Sequence, residues 1–168
     1  MAEPGPETLS VDTDATSGFP NSPLPVLIYR RFIDATTGDP AASFETLFER
    51  HHWPPQWRYG LYDFDHFHST AHEALGVYRG RAHIRLGGPN GSEHDIAAGD
   101  VLVLPAGVGH ACLDASDGFC MVGAYPPGQQ WEVERGDPAG LEHALARVAA
   151  VPMPEDDPVG GSLLSLWR

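Results

Sequence analysis

The residues with chemical potential are clustered. Within "DHFHSTAHEALGVYRG", residues 65–80, His66, His68, His72 and Glu73 lie close together, and His110 follows "GDVLVLPAGVG". Side chains alternate along an extended chain, so His66 and His68 share a face with Cα atoms roughly 6.5 to 7 Å apart, within reach of one ion. An H-x-H pair is common, and two imidazoles satisfied by ordinary hydrogen bonds remain an open reading of it. Glu73 lies past the short turn "STAH", where a reversing chain can return a carboxylate to the two imidazoles. His110 leaves an apolar run and a Pro-x-Gly turn able to aim it into the same interior. Three neutral imidazoles and a carboxylate suit a divalent first-row metal such as Mn, Fe, Co, Ni, Cu or Zn, with one or two octahedral positions left open. Open positions point to ligand binding or catalysis rather than a closed structural site.

Neighbouring residues divide by parity. His72 adjoins Glu73 and is expected on the opposite face, in a supporting role or, as an alternative, replacing His66 as a ligand. Cys112 shares the face of His110 and is expected as a small buried apolar residue, with a supporting or reactive thiol as the alternative. Tyr62 and Phe64 share a face with His66, while Met121 and Tyr125 are placed on the opposite wall. Tyr125 is selected as an acid or hydrogen-bond donor. His51, His52, His83, His94 and His143 lack convergent partners and read as ordinary histidines.

These side chains need a scaffold. Between Gly60 and Tyr125, short runs rich in β-branched and aromatic residues alternate with glycine turns: "LYDFDHFH", "EALGVYRG", "AHIRLGG", "HDIAAG", "VLVLPAG", "HACL" and "CMVGAY". "GGPNG" at 87–91 is the clearest hairpin turn. Such spacing, uninterrupted by helices, predicts an antiparallel sandwich or barrel. Before it, "LPVLIYRRF" reads as a strand and "DPAASFETLFERHH" as a helix capped by Asp39, with Phe44, Leu47 and Phe48 on its core side. "WPPQW" reads as a rigid aromatic loop. After the strands, "DPAGLEHALARVAAV" reads as a second helix starting at Asp137, with Leu141, Ala144, Leu145 and Val148 on one stripe. The irregular end is expected to pack down through Leu163, Leu164, Leu166 and Trp167. Residues 1–23, rich in Pro, Gly, Ser, Thr and acid, read as a disordered tail, and 24–168 as one domain.

Charge narrows the function classes. The net charge is −13, and all ten basic residues are arginines. Scattered arginines on an acidic chain disfavour nucleic acid and anionic membranes. Two cysteines and no basic-then-apolar leader fit a cytoplasmic protein with reduced thiols. No apolar run approaches the roughly 20 residues of a membrane span.

The spacing resembles that of the cupins. Their first motif, G-x5-H-x-H-x4-E-x6-G, is filled by Gly60, His66, His68, Glu73 and Gly80. Their second, G-x5-P-x-G-x2-H-x3-N, is matched by Gly99, Pro105, Gly107 and His110, while Asp114 stands at the Asn position. The resemblance covers residues 60 to 125 closely, and the flanks look like those of small bacterial single-domain cupins. It implies an all-β jelly-roll barrel, here with two short flanking helices, and His66, His68, Glu73 and His110 as metal ligands. Three activities fit this frame. One is a metal-dependent enzyme of the non-haem oxidoreductase or dioxygenase type, acting on a small organic molecule with Glu73 and Tyr125 in the chemistry. Another is an isomerase, epimerase or lyase on a sugar or keto acid, which a pocket lined by Arg85 and other polar groups would favour. The third is a non-enzymatic metal- or ligand-binding module. Cupins are often dimers, and "LPVLIYR" offers a strand for a partner's sheet.

Overall fold

The computed structural model describes residues 5–168. Seven strands form one antiparallel sheet: β1 (Glu7–Val11), β2 (Ser22–Tyr29), β3 (Pro55–Tyr59), β4 (Glu73–Leu86), β5 (Ser92–Ala97), β6 (Val101–Leu104) and β7 (His110–Ala124). The strand order is β1-β2-β6-β4-β7-β3, with β5 paired to the distal half of β4. Helix α1 (Pro40–Arg50) enters between β2 and β3; α2 (Leu141–Ala149) and the short α3 (Leu163–Leu166) follow the last strand. No helix among the described residues is long and apolar enough to cross a membrane.

Alternation separates two apolar layers. Val26 and Ile28 of β2, Leu75 and Val77 of β4, and Leu102 and Leu104 of β6 fill the inside of the curled sheet with Ile84, Ile96 and Met121. Their neighbours Leu27, Ala74, Val101 and Val103 face outward and are covered by Phe44 and Phe48 of α1, Trp53, and Leu163 and Trp167 of the C-terminal segment. Burial on both faces explains why these strands read as continuous apolar runs. Asp39 caps α1 as expected, its side chain accepting from the Ala42 N–H at 3.1 Å. Asp137 caps the turn before α2 in the same way, through Ala139 at 3.0 Å.

Several runs expected as separate strands are joined. "EALGVYRG" and "AHIRLGG" form one strand, β4, and "HACL" and "CMVGAY" lie within β7. Their pairing shifts register near Arg79, where Gly80 has φ 75° and a Cβ would come within 2.5 Å of the Ser116 carbonyl oxygen. A glycine-centred bulge bends the strand without ending it, so the turn signal is real and the break is not. Gly99 likewise has φ 102°. The hairpin at 87–91 is present, joining β4 to β5.

Three expectations are corrected. "WPPQW" is not a loop throughout: Pro55–Tyr59 is edge strand β3, paired only with β7, where a proline is tolerated. β2 is flanked by β1 and β6, so "LPVLIYR" has no free edge for a partner's sheet. The tail assigned to residues 1–23 is also not disordered where it is described; residues 1–4 lie outside that part. β1 pairs with β2, and Phe19 is buried against Phe67 with ring centroids 5.5 Å apart. Composition missed this because the space for Phe19 is made elsewhere, by Gly88, Gly109 and Gly136, at each of which a Cβ would collide with its ring. The C-terminal segment docks through Leu163 and Trp167, while Leu164 and Leu166 are exposed.

Candidate metal centre

At one mouth of the curled sheet, His66, His68, Glu73 and His110 converge, all buried. Glu73 opens β4 on the same inward parity as Leu75 and Val77. His110 opens β7 after the Gly107 turn. The H-x-H stretch is extended but is not the regular strand expected of "LYDFDHFH". A single antiparallel bridge joins His66 to His110 and another joins Phe67 to Glu134. Held from both sides, the stretch still alternates: His66 and His68 face the cavity, and Phe67 packs with Phe19 and Ala144.

Supports reach this stretch from distant parts of the chain. The Gly107 N–H donates to the His68 carbonyl at 2.8 Å. The Asn21 side-chain oxygen accepts from Gly109 N–H at 3.0 Å, and its amide donates to the Gly87 carbonyl at 3.1 Å, fixing the approach to His110. Arg147 of α2 donates to Glu134 at 2.8 Å and to Ser69 at 3.0 Å, and Glu134 accepts from the Ser69 N–H at 2.7 Å. The segment 129–134 is thereby laid along 67–72.

Each imidazole is oriented by a backbone carbonyl. His66 Nδ1 lies 3.0 Å from the Phe64 oxygen, His68 Nδ1 2.5 Å from that of Glu132, and His110 Nδ1 2.9 Å from that of Val108. A carbonyl can only accept, so each Nδ1 carries a hydrogen and, in the neutral ring, Nε2 keeps its lone pair for the cavity. One ring nitrogen from each histidine lies within 4.8 Å of the others, a group that could hold a metal ion. His110 Nε2 is 3.2 Å from Glu73 Oε1, and His68 Nε2 is 3.4 Å from Oε2. His110 Nε2 and Glu73 Oε1 are buried without a hydrogen-bond partner. Inward lone pairs beside an unsatisfied carboxylate oxygen are the donor set a divalent first-row metal takes, and an orphaned polar pair is otherwise costly to bury.

The titration pattern follows from burial and crowding. Burial, then the neighbouring His110, draws His66 down to about 3. Burial also pulls His68 down, but the Glu73 carboxylate outweighs it and the net shift is upward. Burial alone would raise Glu73; His68 and His110 reverse this and hold it well below the usual carboxylate range. The Tyr125 hydroxyl donates to Glu73 Oε2 at 2.7 Å and accepts from Trp57 Nε1 at 2.9 Å. Its burial and the adjacent carboxylate raise its pKa, so the phenol keeps its proton.

The remaining candidates separate cleanly. His72 lies on the outer layer, its ring 4.8 Å from Trp167 and its Nδ1 accepting from the Ala106 N–H at 2.9 Å; it supports the Pro105–Gly107 turn and is not in the histidine group. Cys112 is buried among the inner apolar residues. Met121 is buried in that layer rather than lining the cavity, whereas Tyr62 lines it. Phe64 stacks on Tyr62 at 5.0 Å. Arg85 pairs with Asp65 at 2.5 and 3.1 Å and lines no part of the cavity. His51 pairs with Asp156, and His83 bridges Asp95 and Glu93. Trp57 and Trp131 were missed by sequence reasoning. Trp131 stacks on Tyr125 with centroids 5.3 Å apart at 13°. It sits in "GQQWEVERG", which has no periodicity and no motif spacing to mark it.

A family model described as Cupin matches residues 65–127. The chain is 34% identical over 152 residues to "Uncharacterized protein YjlB" of Bacillus subtilis (strain 168), covering 88% of this chain and 89% of that protein. Among solved structures, a DUF861 family protein from Thermotoga maritima aligns with TM-score 0.36 and 19% identity over 58% of this chain and 96% of its own. Acireductone dioxygenase from Bacillus anthracis, with a cadmium ion in its active centre, aligns with TM-score 0.41 and 12% identity over 64% of this chain and 82% of its own.

Proposed function

The chain belongs to the cupins, and from that premise we propose that it is a metal-dependent enzyme of the non-haem oxidoreductase type acting on a small organic molecule. In this reading His66, His68, His110 and Glu73 hold a divalent first-row ion at the foot of the cavity. The observation that carries the reading is the shared orientation of the three imidazoles, each with Nδ1 spent on a backbone carbonyl, around a carboxylate oxygen left without a partner. When bound, such an ion would polarise a substrate oxygen or exchange an electron with it.

The chain's own residues supply the rest. Glu73 is kept ionised by the surrounding imidazoles, and Tyr125 occupies only its Oε2. Released from the ion, Oε1 would be the atom able to accept a proton from a substrate placed in the cavity. Tyr125 acts as a positioning residue: its hydroxyl proton points to Glu73 and its oxygen is fixed by Trp57. The cavity reaches solvent past Tyr59, Tyr62 and Trp131, which are 62%, 42% and 39% exposed, so a small molecule can enter. That access favours catalysis over storage of a sealed ion.

Elemental analysis of protein purified without added metal tests the reading, followed by anaerobic loading with Fe(II) and oxygen-uptake assays on candidate phenols and thiols. His68→Ala and Glu73→Gln are each expected to weaken metal binding beyond the roughly 10- to 100-fold typical of losing a supporting contact. Undiminished metal content in both variants would overturn the ligand assignment. Absence of turnover with every metal and substrate would overturn the enzymatic reading while leaving the site intact.

A further inference from the structure

The cavity above the histidines has a volume of about 270 Å³ and walls formed chiefly by Trp57, Leu61, Tyr62, Leu75, Tyr125 and Trp131. An apolar cavity of about 150 Å³ accommodates benzene. The space here therefore suits a single substituted ring or a fused pair. Trp131 and Tyr125 form a flat stacked pair on one side, and the His68 ring meets Trp131 edge-on at 6.0 Å and 76°. A cavity of this size walled largely by aromatic rings beside an ion site suits a planar ligand, which can pack its face or edge against them.

Charge points the same way. Arg58 is the one cationic side chain among the lining residues apart from the histidines, and its guanidinium is already held by both Glu45 oxygens at 2.9 and 2.6 Å. Arg85 is bound to Asp65, and Arg135 stacks over the Phe64 ring at 3.6 Å; neither lines the cavity. A carboxylate or phosphate entering beyond the metal would be desolvated without a cationic partner. The net charge of −13 adds a repulsive field against anions.

Resting on the metal reading above, we propose that the substrate is a planar aromatic molecule that presents a hydroxyl or thiol to the metal and carries no carboxylate or phosphate, with Trp131 as the residue that determines this specificity. Keto acids, sugar acids and phosphorylated sugars are excluded as a class.

The test uses the full chain loaded anaerobically with Co(II), whose visible absorption reports ligand entry without turnover, titrated with catechol and, separately, with 2-oxoglutarate. Catechol is expected to bind at least about tenfold more tightly, the ratio that a stacking contribution near the top of its usual range supplies. Trp131→Ala is expected to weaken catechol by about 2- to 10-fold, with partial recovery in Trp131→Phe, and to leave cobalt content and 2-oxoglutarate affinity unchanged. Equal or tighter binding of 2-oxoglutarate, or a Trp131→Ala variant with unaltered catechol affinity, overturns the substrate class and leaves the metal site standing. A wild-type chain that takes up no cobalt overturns both.

Discussion

Two buried carboxylates in this protein each accept a hydrogen bond from a tyrosine, and they differ in what completes them. Asp157 is fully buried where the C-terminal segment meets the sheet. It accepts from the Tyr29 hydroxyl, from Leu163 N–H at 3.1 Å and from Val159 N–H at 2.8 Å, so both its oxygens are occupied by donors. Glu73 accepts from Tyr125 on one oxygen only; its other oxygen has no hydrogen-bond partner and faces imidazole nitrogen. A carboxylate closed by O–H and N–H donors ties two pieces of chain together. One left open among inward lone pairs has capacity for an ion. Burial and a tyrosine partner alone do not distinguish the two roles; saturation does.

The largest effect should come from breaking the closed member. Asp157→Ala strands the Tyr29 hydroxyl and two backbone N–H groups, each at about 1–3 kcal/mol, for a total loss of at least roughly 3 kcal/mol. Urea unfolding should show this as a lower midpoint, while the metal content of the folded fraction stays at the wild-type value. Glu73→Gln should do the reverse: a much smaller change in the metal-free unfolding midpoint and loss of metal. If both substitutions cost stability alike and both retained metal, the distinction between the two sites would collapse.

The tyrosines give a milder version of the same contrast. Tyr29→Phe removes a donor to Asp157 and the acceptor of Ser162 N–H. It is expected to cost about 1–3 kcal/mol of stability, with metal affinity unaltered. Tyr125→Phe frees Glu73 Oε2 and leaves Trp57 Nε1 without its partner. Its expected signature is a roughly 10- to 100-fold loss of metal affinity, the range for a group that orients a ligand. Calorimetric metal titration of the pair, set beside their unfolding curves, would show whether the two losses separate.

Much of the open site was legible because its residues stand at the spacing of the cupin motifs. Parity puts His66 and His68 on one face, while Glu73, past one turn, and His110, past an apolar run and a Pro-x-Gly turn, were joined to them by the resemblance. The apolar runs of β2, β4 and β6 and the two Asp-Pro caps were equally readable, since each is a local rule. The rest depends on partners distant in sequence. Asn21 and Phe19 lie in a stretch whose composition argues for disorder, yet they are ordered by Gly87, Gly88, Gly109 and Gly136. Trp131 reaches the cavity only because Glu134, Gln129 and the Gln130 carbonyl are bonded to residues 69–72. The closed carboxylate was invisible for the same reason: nothing near Asp157 in the chain announces Tyr29.

The smallest effect distinguishes two buried histidines on opposite faces of the same stretch. His66 faces the open site and His72 the closed outer layer, and burial depresses both, to about 3 and about 4 respectively. Their folded values lie below the ordinary 6.5 of an unfolded histidine, so the unfolded chain binds more protons as acidity rises. The stability each contributes is therefore present above about pH 6.5 and lost as the pH falls through its folded value. His68, which is shifted upward, contributes in the opposite sense, its share being lost as the pH rises through its raised value. Comparing wild type with His72→Gln cancels the contributions of His66 and His68, which both proteins retain. Gln can still accept from the Ala106 N–H, so the variant should fold. In metal-free protein unfolded by urea at pH 7, 6 and 5, wild type should lose stability more steeply than His72→Gln, by up to about 1.4 kcal/mol per pH unit. Parallel slopes would mean that His72 gains its proton in the folded state, and the outer layer would then be open to water as the metal side is.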